Sequence, residues 1–173
     1  MADIKLYFKK LFPWEGGYVN DPLDSGGATK MGVTLATWKT MGYDKDLDGD
    51  IDEEDIKLLS RADAEMVCKK GYWDKWLADQ IKNQSQAEQL VDWVWGSGCY
   101  GLIIPQHILG VHADGVVGPI TLTAVNSSNQ EEFFNKVKAE RLQFIQNIIT
   151  RKPSQKRFEI GWKRRVNSFV FKP

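Results

Sequence analysis

The chain has 173 residues, 42% of them hydrophobic and 27% charged, which suits a soluble globular protein with one sizeable core or two small ones. Lys and Arg total 23 and Asp and Glu total 23, so no global charge draws the chain to nucleic acid or to an anionic membrane. Two cysteines, Cys68 and Cys99, form neither a disulfide framework nor a metal-binding spacing, and two reduced, buried thiols are expected.

The first segment, Asp3 to Trp14, reads as a helix because Ile4, Phe8, Leu11 and Phe12 recur at helical spacing. Pro13 strains its end and Gly16-Gly17 stops it. Lys9 and Lys10 interrupt the apolar run that a signal peptide needs, so none is expected in this segment, and nothing downstream approaches the roughly 18 apolar residues of a membrane span. Synthesis in the cytoplasm is expected, with work elsewhere depending on some other export. Residues 18–34 have no helical period; their turn chemistry, "DSGGAT", predicts a small hairpin.

Helices are then expected over 34–41, 53–59, 61–70 and 72–80, with Ser60 capping the third of these and Asp63 in its first turn. Residues 86–95 should form a helix with Leu90, Val91, Val94 and Trp95 on a buried face. Residues 102–109 follow, entered or kinked at Pro105. Pro119 stands at the first position of the next helix. Glu131–Thr150 and Phe158–Phe171 complete the list. The class is therefore mainly α with one small β-hairpin, and no tandem repeat is present. Charge is unevenly placed. Asp44–Glu65 holds ten acids and three bases, whereas Glu131–Pro173 holds eleven bases and four acids. The basic segment reads either as a solvated helix face or as a surface for an anionic partner.

Glu15 stands at the end of the first helix, where the negative end of the helix dipole disfavours an ionised carboxylate. Aromatic neighbours would desolvate it further. A carboxylic acid kept protonated near neutral pH is what general-acid catalysis needs. Asp21 and Asp24 follow six and nine residues on, and glycoside hydrolysis commonly uses such a second carboxylate. By spacing alone the signal is weak, since a Glu before Gly-Gly is commonly just a helix end.

The stretch "EGGYVNDPLDSGGATKMGVT" resembles the opening motif of the glycoside hydrolase family 108 lysozymes, N-acetylmuramidase-like proteins also described as secretion activators. Their E-G-G-Y, N-x-P-x-D, G-G-A-T and G-[IV]-T elements correspond to Glu15–Tyr18, Asn20 with Pro22 and Asp24, Gly26–Thr29, and Gly32–Thr34. "YWDKW" at 72–76 and "VDWVWGSG" at 91–98 resemble later segments of the family. "LGVHADGVVGPITLTAV" at 109–125 and "GWKRR" at 161–165 resemble its C-terminal peptidoglycan-binding region.

The resemblance implies a lysozyme-like helical fold with its hairpin near the active site. It implies a catalytic region over 1–96 and a peptidoglycan-binding-like helical region over 97–173, the two either separate or packed as one compact domain. It implies cleavage of peptidoglycan glycan strands with Glu15 as catalytic acid, Asp24 as second carboxylate, and Asp21 as the less favoured alternative. Tyr18, Asn20, Thr29, Trp73 and Asp92 become the expected substrate contacts. Asp92 reads equally as a partner for an arginine, and most tryptophans among Trp73, Trp76, Trp93 and Trp95 read as core. Two departures stand out. Phage-type lysozymes, whose Glu–Asp spacing is similar, place threonine where Lys30 stands, and Gly96 occupies a position where relatives often carry Asn.

"DKDLDGDIDEED", residues 44–55, follows an EF-hand-type loop, with Asp44, Asp46, Asp48, Asp50 and Asp55 as expected calcium ligands and Gly49 at the sharp turn. Asp50 would offer its backbone carbonyl, and Asp55 replaces the usual Glu. The alternative is an acidic surface turn capping the next helix. Any calcium would be structural, since glycoside hydrolysis needs no metal. Expected partners are peptidoglycan glycan strands rather than nucleic acid, with a monomer acting on the wall or in the periplasm after holin-like or secretion-linked export. The rival readings are a secretion-associated wall-binding protein with vestigial cleavage, and a calcium-regulated module, which would require a second loop that the sequence lacks.

Overall fold

The structure is a computed structural model and describes residues 1–20 and 27–173. The chain divides into two compact units, Ile4–Trp73 and Met1–Asp3 with Asp74–Pro173.

In the first unit, α1 (Ile4–Leu11) runs into a 3₁₀ turn over Phe12–Trp14 that accommodates Pro13 near its start. A two-stranded antiparallel hairpin follows, β1 (Thr29–Lys30) and β2 (Val33–Thr34), with Thr29 opposite Thr34 and Lys30 opposite Val33. Met31 and Gly32 both take positive φ at its tip. Thr34 then caps α2 (Leu35–Met41), its hydroxyl accepting from the Thr37 N–H at 3.2 Å. Gly42 ends α2 against the Trp38 indole, where any β-carbon would lie 2.2 Å from the ring.

Two reciprocal caps fix the next helices. Asp52 and Asp55 form a capping box at α3 (Glu53–Leu58), and Ser60 and Asp63 form one at α4 (Arg61–Cys68). The cap expected at Ser60 is thus present. Tyr7, Leu11, Trp38, Ile56, Val67 and Trp73 are among the buried side chains of this unit.

The expected helix over 72–80 does not form. A π-helical turn covers Lys69–Trp73, and two 3₁₀ turns cover Asp74–Trp76 and Ala78–Gln80, with Leu77 between them at φ +49°. Trp73, Trp76, Ala78 and Ile81 are all fully buried, and their 3-2-3 spacing does not lie on one α-helical face. Burial of these side chains overrides local helix propensity.

The second unit is built on α5 (Gln84–Ser97), capped by Asn83, which accepts from the Gln86 N–H at 2.9 Å. Ten successive residues of α5, Ser85–Val94, are buried, so the helix is enclosed all round rather than on the single face expected. The helix α6 (Tyr100–Leu109) crosses α5 at Gly101, where a β-carbon would meet the Val94 nitrogen at 2.4 Å. Pro105 lies inside α6 rather than at its entrance. Then come α7 (Pro119–Ser127), α8 (Gln130–Arg151), a 3₁₀ segment over Pro153–Phe158, and α9 (Glu159–Ser168). Ile145 and Ile149 of α8 pack with Val166 of α9, flanked by Leu142 and Trp162. The last residues return to the start of α5, where the Lys172 carbonyl accepts from Asn83 Nδ2 at 2.7 Å. Cys68 is buried as expected, but Cys99 is exposed at the start of α6, a correction to the expectation of two buried thiols. Among the described residues, no helix is long and apolar enough to cross a membrane.

Candidate active site

Glu15 leaves the 3₁₀ turn in an extended conformation (φ −93°, ψ 128°), with its N–H donating to the Phe12 carbonyl at 3.1 Å. The chain then runs beside the hairpin. The Gly16 carbonyl accepts from the Met31 N–H at 3.1 Å, and Val19 and Thr29 exchange both backbone bonds at 2.8 Å. The backbone on either side of Gly17 is therefore fixed to β1 and to the hairpin tip. Gly16 and Gly17 have open space where a side chain would be, among the described residues. That leaves the main chain next to Glu15 approachable by a ligand.

Glu15 is half-buried, and Tyr18 and Asn20 are exposed. The Tyr18 ring faces the Lys57 ammonium, 5.8 Å from its centroid. Asn20 Nδ2 donates to Glu53 Oε2 at 2.8 Å. Thr29 is half-buried, and its hydroxyl donates to the Gly27 carbonyl at 3.3 Å. Lys30, in the place of the phage-type threonine, donates to the Lys57 carbonyl. The hairpin and the segment that follows Glu15 are thereby both joined to α3. Glu53 was not foreseen here, because a carboxylate 33 residues from Asn20 carries no local signal of that contact. Asp21 and Asp24 lie outside the described residues.

Two expected substrate contacts have other roles. Trp73 is fully buried and stacks on Tyr7 at 6.0 Å, so it presents no exposed ring face to a sugar. Asp92 is buried in the second unit between Arg141 (Nη2 at 2.7 Å) and Arg165 (Nη2 at 2.8 Å). Burial alone would raise its pKa, but the charges of Arg165 and Arg141 outweigh that and hold the carboxyl below the usual range. Of the two readings of Asp92, the arginine partner is the one present. Arg165 is the second arginine of the "GWKRR" segment, so two separately recognised motifs meet in one ion pair.

In the acidic loop, oxygens of Asp44, Asp46 and Asp48 lie within 4.8 Å of one another. Asp44 accepts from the Leu47 N–H at 2.7 Å and the Gly49 N–H at 2.9 Å, with Gly49 at φ +106°. An all-carboxylate donor set of this kind fits a hard, oxygen-seeking cation. Asp50 and Asp55 stand outside the cluster. Asp55 is buried and its carboxylate accepts from the N–H groups of Lys45 and Asp52. Burial would raise its pKa, but these donors hold it below the usual range. The residue expected as the twelfth-position ligand thus serves in the α3 cap. Asp50 is shifted upward, first by the neighbouring Asp48 charge.

Residues 8–98 match the model of the family described as Glycosyl hydrolase 108, and residues 100–167 match the model described as Predicted Peptidoglycan domain. Among solved structures, that of Brucella abortus SagA is similar, with 29% identity and a TM-score of 0.79. The match covers 96% of this chain and 92% of that one. The comparison with curated proteins finds no match.

Proposed function

The chain belongs to the glycosyl hydrolase 108 family, and on that premise we propose that it is a lysozyme-type hydrolase of peptidoglycan with Glu15 as its general acid. Glu15 protonates the glycosidic oxygen as the bond to the leaving sugar breaks. Asp24, or else Asp21, supports the attacking water or the developing oxocarbenium charge. Tyr18, Asn20 and Thr29 contact the glycan. The bond is the β-1,4 link from N-acetylmuramic acid to N-acetylglucosamine, as the motif resemblance implies. The enzyme acts on the wall after export.

One observation carries this reading. The glutamate of the family motif directly precedes an extended segment pinned on both sides of Gly17 by the Gly16–Met31 and Val19–Thr29 bonds. A reacting acid must hold its position to well under an ångström, and this bracing supplies that rigidity. We also propose that the 44–55 loop takes a structural calcium ion through Asp44, Asp46 and Asp48. A secretion-associated wall-binding role with weak cleavage is the second reading. It is favoured by Gly96, which leaves its exposed position at the end of α5 without a polar side chain.

Turbidity clearing of purified peptidoglycan tests the first reading. The Glu15→Gln variant should keep the wild-type circular dichroism and clear at least ~100-fold more slowly, the usual minimum contribution of a general acid. Equal clearing by both would move the acid elsewhere.

A further inference from the structure

The second unit carries a groove of about 770 Å³ between α6, α8 and the 3₁₀ segment after α8. Its apolar wall includes Tyr100, Phe144 and Ile148, and its rim holds Arg151 and Lys152. None of its twelve lining residues is acidic. Tyr100 is 51% exposed, and its ring lies 5.0 Å from that of Phe144. A smaller hollow of about 180 Å³ shares Gly96, Ser97, Phe144 and Ile148 with the groove and reaches the Asp92–Arg141–Arg165 cluster. Along both hollows there are four permanent cations and one carboxylate. Asp92 is already shared by two arginines, whereas Arg151 and Lys152 make no side-chain ion pair among the described residues.

We infer that this groove binds the acidic stem peptide of peptidoglycan together with the sugar that bears it. The inference rests on the hydrolase reading for its choice of substrate class, and it adds what that reading lacks, recognition of the peptide rather than of the glycan alone. Charge complementarity selects the occupant. Stem peptides end in and carry free carboxylates, and a planar guanidinium at Arg151 beside an ammonium at Lys152 suits carboxylate recognition. The exposed face of Tyr100, backed by Phe144, suits the apolar face of an N-acetylated sugar. A bare glycan of neutral N-acetylglucosamine would leave the cationic rim without a partner. The groove lies within residues matched by the Predicted Peptidoglycan domain model, apart from Gly96 and Ser97.

The test is calorimetric titration of the full chain with a soluble disaccharide–tetrapeptide, the same disaccharide without peptide, and the tetrapeptide form with its side carboxylates amidated. Wild type should bind the acidic form at least tenfold more tightly than either of the others. Arg151→Gln combined with Lys152→Gln should remove that preference, while Arg151→Lys alone should keep most of it. Equal binding of all three ligands by wild type, or an unchanged preference in the double variant, would overturn the inference. So would an oligonucleotide that binds the groove more tightly than the muropeptide, or loss of the groove to dimerisation in sedimentation. Cleavage of peptide-free glycan strands by wild type is followed in parallel. Absence of that cleavage in wild type would count against the hydrolase reading alone, because the peptide preference is read from binding.

Discussion

Asp92 is the residue whose setting demands the most of its neighbours. A buried carboxylate is tolerable only because two guanidiniums reach it, and removing its charge would strand both of them. The Asp92→Asn variant should lose about 3–5 kcal/mol of unfolding free energy in urea titration. A loss below about 1 kcal/mol would mean that the arginines find other partners. Asp63 makes a second, pH-dependent contribution. Burial acts to raise its pKa, but hydrogen bonds from Lys45 and Ser60 bring it to about 2 from an ordinary 3.8. A carboxylate depressed in this way stabilises the fold fully above about pH 4, and the stabilisation is lost as pH falls through 2. Between pH 4 and pH 2, wild type should therefore lose about 2 kcal/mol more than Asp63→Asn. Parallel profiles would remove Asp63 from the acid response. The sequence made Ser60 and Asp63 legible as a cap because a cap is local. The Lys45 contact 18 residues away, and the Arg165 contact 73 residues away, were not legible, because nothing in a linear pattern states which charges will meet.

Helices were the most legible elements where a start signal stood in the sequence, Ser60 as the cap of α4 and Pro119 at the first position of α7, or where apolar periodicity was long, as in α8. The pattern failed between 69 and 80, where buried tryptophans impose π and 3₁₀ turns that periodicity does not encode. It also understated α5, whose polar Gln86, Glu88, Gln89 and Asp92 are buried alongside its apolar residues. The acidic loop was legible as a spacing but only partly as a ligand set. Asp44, Asp46 and Asp48 converge, whereas Asp55 serves the α3 cap. If the loop takes calcium, millimolar calcium should raise the midpoint of thermal unfolding by several degrees. Saturation at a hundred times Kd stabilises by about 2.7 kcal/mol. The Asp46→Asn/Asp48→Asn variant should show no such rise. An equal rise in wild type and variant, or none in either, would make the loop an acidic turn and nothing more.

At the scale of the whole molecule, the zero formal charge conceals a division of labour. The acidic stretch Asp44–Glu65 lies in the Ile4–Trp73 unit, and the basic stretch Glu131–Pro173 lies in the other. The mainly α class and the family were legible because the motifs occur in order along nearly the whole chain. The cationic groove was not, since its rim comes from the end of α8 and its aromatic wall from α6, which periodicity reads as two unrelated helix faces. A small hairpin within residues 18–34 was legible, but it turns at Met31–Gly32 rather than in the expected "DSGGAT" stretch, of which residues 24–26 lie outside the described ones, and the bonds that pin Gly16 and Val19 to it were not legible. The measurement that bears most directly on the account is mass spectrometry of purified peptidoglycan after incubation with wild type and with Glu15→Gln. New reducing ends on N-acetylmuramic acid from wild type alone are the predicted result. Release of the same ends by Glu15→Gln, or no release by folded wild type with calcium present, would contradict it.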